Sequence, residues 1–69
     1  MTIKFSKDYV GHLTEAELIH VFEHSTKGET IVDMETHRGQ LTATVYKYKG
    51  GWRYVIVTIN DEIVGASSV

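Results

Sequence analysis

Apolar residues recur along this chain with a period of two nearly everywhere, and with a helical period in one segment. The longest alternating stretch, residues 40–61, reads as two strands folded back on each other at Gly50 and Gly51. It holds the only tryptophan, three of the four tyrosines and a run of β-branched residues, so what its two faces touch decides both fold and function. A shift of one residue in the loop exchanges the faces of the second strand. A three-residue loop gathers Leu41, Ala43, Val45, Val55, Val57 and Ile59 into an aliphatic face and leaves Tyr46, Tyr48, Trp52, Tyr54 and Ile56 opposite, with Thr42, Thr44 and Thr58. A two-residue Gly-Gly turn, the form such a dipeptide favours, moves Trp52, Tyr54 and Ile56 to the Leu41 face instead. The three-residue loop is preferred because it separates aliphatic from aromatic side chains. On that reading the aliphatic face is the core and the rings look outward.

The helical segment is residues 13–25. Thr14 and Glu17 have the spacing of a capping box, with Leu13 and Leu18 placed as a hydrophobic staple. Leu18, Ile19, Val21 and Phe22 fall on one arc, while Ala16, Glu17, His20, Glu23 and His24 fall on the other. Lys27 complements the helix C-terminus, and Gly28 is expected to supply a left-handed cap.

Before the helix, residues 2–5 suggest a short strand carrying Ile3 and Phe5 on one side, followed by a polar connection over 6–11. After it, residues 30–37 alternate, with Val32 and Met34 on one face and Asp33, Glu35 and His37 on the other. A two-residue turn at Arg38-Gly39 sets Met34 opposite Ala43 and Val32 opposite Val45. Asn60-Asp61 makes another tight turn into residues 62–66, with Val64 beside Val57 and Ala66 beside Val55, and residues 67–69 read as a frayed end. The expected fold is α+β: one small domain over residues 1–69, an antiparallel β-meander of four to five strands with one α-helix packed on one face, in the order β-α-β-β-β-β.

Composition limits the chemistry. A chain of 69 residues buries only about 60% of the surface its unfolded form exposes, so a partner subunit would add stability. With no cysteine, neither a disulfide nor a thiolate metal site reinforces it, which is compatible with a cytoplasmic setting. No apolar run is long enough for a signal peptide or a membrane span, so the chain is expected to be soluble and unprocessed. The net charge of −2 is unevenly placed. Residues 36–60 carry Arg38, Lys47, Lys49 and Arg53 with no acid, for +4, while the rest sets three lysines against nine acids, for −6. Such asymmetry marks an interaction surface or a pair of self-complementary faces.

His20, Glu23 and His24 match the H-x-x-E-H zincin pattern and share the wet side of the helix. A hydrolytic zinc site also needs a third ligand, a cleft and a supporting shell, for which one helix leaves little room, so no metal and no cofactor are expected. His12 and His37 have no spacing that joins them to this pair. Ser25 lacks a nucleophile elbow, Gly50 and Gly51 are hairpin punctuation, and Asp33 with Glu35 serve solubility. No catalytic residues are assigned, and the chain is expected not to be an enzyme.

One helix covers one face of a sheet, so the other should be polar, and here neither face is. The leading expectation is a small interaction or regulatory protein, an inhibitor or adaptor, that docks on a larger protein or self-associates through Tyr46, Tyr48, Trp52, Tyr54 and Ile56. The alternative is single-stranded nucleic acid, with the same rings stacking bases and Lys47, Lys49 and Arg53 holding phosphates. Against it, strand alternation sends those cations and rings to opposite faces, and the helix is acidic.

Overall fold

The computed structural model describes residues 4–69, so the strand position expected for Ile3 lies outside the described residues. The elements are β1 (Phe5–Gly11), α1 (Glu15–His24), β2 (Thr26–Thr36), β3 (Gly39–Lys47), a 3-10 turn (Lys49–Gly51), β4 (Arg53–Ile59) and β5 (Glu62–Ser68). They form one helix and a five-stranded sheet in the spatial order β1-β5-β4-β3-β2. The fold is α+β, and β2 to β5 are the expected antiparallel meander. β1 differs, because it lies parallel to β5 at the far edge and takes in residues 6–11, expected as a loop.

The helix begins as its capping box dictates. Thr14 Oγ1 accepts from the Glu17 amide, and the Glu17 carboxylate accepts from the Thr14 amide at 2.9 Å. That exchange holds the exposed Glu17 carboxyl below its ordinary value of 4.5, because the backbone and hydroxyl hydrogen bonds to Thr14 favour its charged form. The C-terminus departs from expectation. The chain leaves the helix through extended Ser25, whose hydroxyl donates to the Val21 carbonyl, and enters β2 at once. Gly28 is therefore a strand residue, not a left-handed cap. A Cβ there would stand 2.9 Å from the Val45 carbonyl oxygen, so glycine permits the close approach of two backbones.

Three turns set the registers. The β2-β3 turn is His37-Arg38 rather than Arg38-Gly39, closed by Thr36 Oγ1, which donates to Gly39 O and accepts from the Arg38 amide. Met34 then pairs with Leu41 and Val32 with Ala43. The slip from the expected pairing is an even number of residues, so the apolar sides still agree. Between β3 and β4 the three-residue loop holds, with Leu41 opposite Ile59, Val45 opposite Val55 and Tyr46 opposite Tyr54. Gly50 and Gly51 both take positive φ in it. Asn60 and Asp61, at φ 51° and 66°, form the tight β4-β5 turn. A bulge at Val64 then pairs Val57 with Gly65 and Ile56 with Ala66, and β5 continues through Ser68 instead of fraying.

Which face the helix covers is the main correction. The core is Leu18, Ile56, Ile63 and Ala66, ringed by Phe5, Tyr9, Leu13, Phe22, Tyr46 and Tyr54. The helix thus lies on the aromatic face of the hairpin, and the aliphatic face looks away from it. A single short helix leaves a wide gap over a sheet, and long flat rings fill that gap better than valines do. Phe22 meets Tyr46 edge-on with ring centres 5.0 Å apart, and Phe5 stacks on Tyr9 at 4.8 Å.

Candidate interaction face

The residues expected to bind a partner divide by position. Ile56 is 3% exposed and belongs to the core. Tyr46 and Tyr54 pack against that core from beneath the helix, and burial pushes the Tyr46 phenol above its ordinary value. Tyr48 reaches the helix as well, its hydroxyl 2.7 Å from His20 Nε2 and its ring edge-on to Tyr54. Only Trp52, 58% exposed at the hairpin tip, is open as expected. The rings are a helix-binding surface within the chain, so the set built on Tyr46, Tyr48, Tyr54 and Ile56 does not form an uncovered patch.

The apolar surface turned away from the helix is on the other side, exposed at its edges and half-buried at its centre, where Ala43 is 5% exposed among its larger neighbours. Parity along the strands, with the observed registers, brings Leu41, Ala43, Val45, Val55, Val57 and Ile59 together at its centre. Val32 and Met34 extend it over β2 by pairing with Ala43 and Leu41. The bulge between Thr30 and Val32 turns Ile31 to the same side, where it lines a shallow cleft of ≈ 290 Å³ with Glu29, Val45, Lys47 and Arg53. Val10, opposite Gly65, carries the face to the last strand. Val10, Ile31 and Met34 are 77%, 55% and 53% exposed. Sequence reading placed most of these residues on one face but took that face for the core. The available signal was the alternation itself, which partitions the side chains without saying which set the helix takes.

The cations lie with the aliphatic set. Lys47 and Arg53 are cross-strand partners on the uncovered side, opposite in direction to Tyr46 and Tyr54. Lys49, in the loop, keeps its Nζ 5.9 Å from the centre of the Tyr48 ring.

On the helix side, a second cleft of ≈ 320 Å³ is lined by Leu13, Ala16, Glu17, His20, Val21, Tyr48 and Tyr54. His20 and His24 lie one turn apart with their rings tilted 37° to each other and ring centres 4.3 Å apart. Among the described residues no three metal-ligating side chains of the His, Cys, Asp or Glu types gather into one group. No helix among them is long and apolar enough to cross a membrane.

Comparison with protein-family models, with characterised proteins and with solved structures returns no match for this chain. The fold is a small α+β sheet whose aliphatic face looks away from its one helix, and function has to be argued from that arrangement.

Proposed function

We propose that this chain is a non-enzymatic interaction protein whose working surface is the aliphatic side of its sheet. One observation carries the reading: the helix packs on the ring side, and an apolar surface of half-buried Leu41, Val45, Val55, Val57 and Ile59 around buried Ala43, bordered by exposed Val32 and Met34, looks away from it over β2, β3 and β4, with only Gly65 on β5 and Val10 on β1 beyond. An apolar patch this continuous is uncommon on a monomer, because water disfavours it and selection against aggregation removes it. A protein partner that covers it turns this exposure into binding free energy. Occupying a partner's surface, as an inhibitor or adaptor does, is a regulatory role within reach of a chain this small, and a cytoplasmic setting suits a protein without cysteine.

Nucleic acid is less favoured by the same geometry. Stacking of bases and pairing of phosphates need rings and cations on one surface, and here Tyr46, Tyr48 and Tyr54 face the helix while Lys47 and Arg53 face away. The test is affinity capture from the native host with wild type, Val57→Lys and Tyr48→Ala. Docking through the aliphatic face requires loss of the captured protein with Val57→Lys and its retention with Tyr48→Ala. The reverse pattern would return the binding surface to the rings.

A further inference from the structure

The uncovered face needs an occupant, and the molecule offers two kinds of surface for meeting a protein: sheet edges and the sheet face. The edges are blunted. β1 bulges between Phe5 and Val10, and β2 is irregular between Lys27 and Thr30 and again between Thr30 and Val32. Lys27, Glu29, Asp33 and Glu35 punctuate β2 with charge. Bulges and charges of this kind discourage strand addition. The face has no such device in its interior.

We propose that the occupant is a second copy of this chain, stacked face to face about a two-fold axis that runs across the strands, so that the two sheets lie with strands in opposite directions. This rests on the docking-face reading and names the partner for it. Area is the first support. Five strands spaced about 4.8 Å apart and about seven residues long cover roughly 550 Å² per copy. Two copies would bury roughly 1,100 Å², above the minimum of about 1,000 Å² for a biological interface and in the range of weak, reversible association. Shape is the second. The small residues Ala43 and Gly65 lie among valines in the middle of the face, where aligned sheets interdigitate at about 10 Å separation.

Charge selects the direction. At the hairpin end, Lys47 and Arg53 face outward beside Glu29, a net +1. At the opposite end, Glu62 faces outward beside Ile59 and follows Asp61, with Lys4 next to them just ahead of β1, a net −1. The single ion pair among the described residues joins Arg38 to Asp8 at 2.8 Å, so Lys47, Arg53, Asp61 and Glu62 are free to pair with another molecule. An axis across the strands sets each cationic end over the partner's acidic end. An axis along the strands would set like charge on like, which interfaces avoid.

The test is sedimentation of the full chain up to several hundred micromolar, for wild type, Lys47→Glu/Arg53→Glu, Glu62→Lys and an equal mixture of the two variants. All three substituted positions are exposed, so folding should survive, and circular dichroism checks it. Wild type should show a concentration-dependent two-chain mass. Each rim variant should raise the dissociation constant roughly tenfold or more, and the mixture should recover wild-type association. Wild type at one-chain mass throughout would overturn the second-copy occupant, and a two-chain mass indifferent to both rim variants would overturn the arrangement. An apolar fluorescent dye separates this failure from that of the docking face. A monomer that binds dye, and loses it on Val57→Lys, keeps the face with a foreign partner. A monomer that takes up no dye removes both readings.

Discussion

Ile56 and Val57 are neighbours on β4 that point to opposite sides, so replacing each with lysine reports directly which side the helix covers. Ile56 is 3% exposed against Leu18 and Ala66. Ile56→Lys forfeits about 1.5–3 kcal/mol of apolar burial and leaves an ammonium without a partner, at several kcal/mol more. A domain of this length holds only about 3–10 kcal/mol in total, so Ile56→Lys should not fold. Val57 lies on the uncovered face between Ala43 and Gly65. Lysine there can lay its stem over those small neighbours and keep its charge in water, at a cost of about 1 kcal/mol or less. The assay is urea unfolding followed by circular dichroism, run at a concentration where wild type sediments as a single chain, so that loss of association does not enter the comparison. A cooperative transition for Val57→Lys and none for Ile56→Lys is expected. A folded Ile56→Lys beside an unfolded Val57→Lys would place the helix on the aliphatic face and refute the assignment.

Leu18 has no exposed surface, and Leu18→Ala should cost about 2–5 kcal/mol in chemical unfolding, enough to leave much of the population unfolded. Glu17 carries the pH dependence of the helix start. Its folded pKa lies below its unfolded one, so its stabilising share is complete above the unfolded value near 4.5 and is lost as pH falls through the folded value. Melting temperature measured downward from pH 6 should therefore drop less steeply in Glu17→Gln than in wild type, and identical slopes would deny the capping carboxylate this role. Burial raises the Tyr46 pKa, so the unfolded chain loses that proton first as pH climbs past the ordinary phenol range near 10. Stability falls there, and Tyr46→Phe should flatten the alkaline decline. Asp61 sits at φ 66° in the turn after β4, where glycine is relaxed, so Asp61→Gly should raise stability by no more than about 1 kcal/mol in the same urea assay.

The parts of this fold that show in the sequence are those fixed by local chemistry. Thr14 and Glu17 announce the helix because each supplies what the other's backbone lacks, and Asn60-Asp61 announces its turn because both residues tolerate positive φ. The hairpin register was legible from segregation: only the three-residue loop puts Tyr46 across from Tyr54 and Val45 across from Val55. Bulges were not legible. Gly65 stands next to the extra residue at Val64 and Gly28 lies within the first irregularity of β2, but an isolated glycine does not by itself distinguish a bulge from a cap or a close backbone approach.

The candidate face was misassigned for a reason that local reasoning could not remove. Alternation divides a strand into two sets and is silent on which set meets the helix. Where two parallel strands flank a helix, the right-handed crossover rule settles the side. Here β1 is parallel to β5 and β2 is antiparallel to β3, so β1 and β2 run in opposite directions at opposite edges and the rule has nothing to act on. What decides instead is the shape of the two surfaces. A ten-residue helix touches a sheet along a narrow line; tyrosine and phenylalanine rings can reach up to it from either side, and the tyrosines still bring their hydroxyls to a partner, as Tyr9 does with the Leu13 carbonyl and Tyr48 with His20. Valine, isoleucine and alanine make a low, even surface that a single rod contacts poorly and a second sheet contacts well. The same difference in side-chain height that draws the helix to the rings leaves the aliphatic face fitted for another sheet.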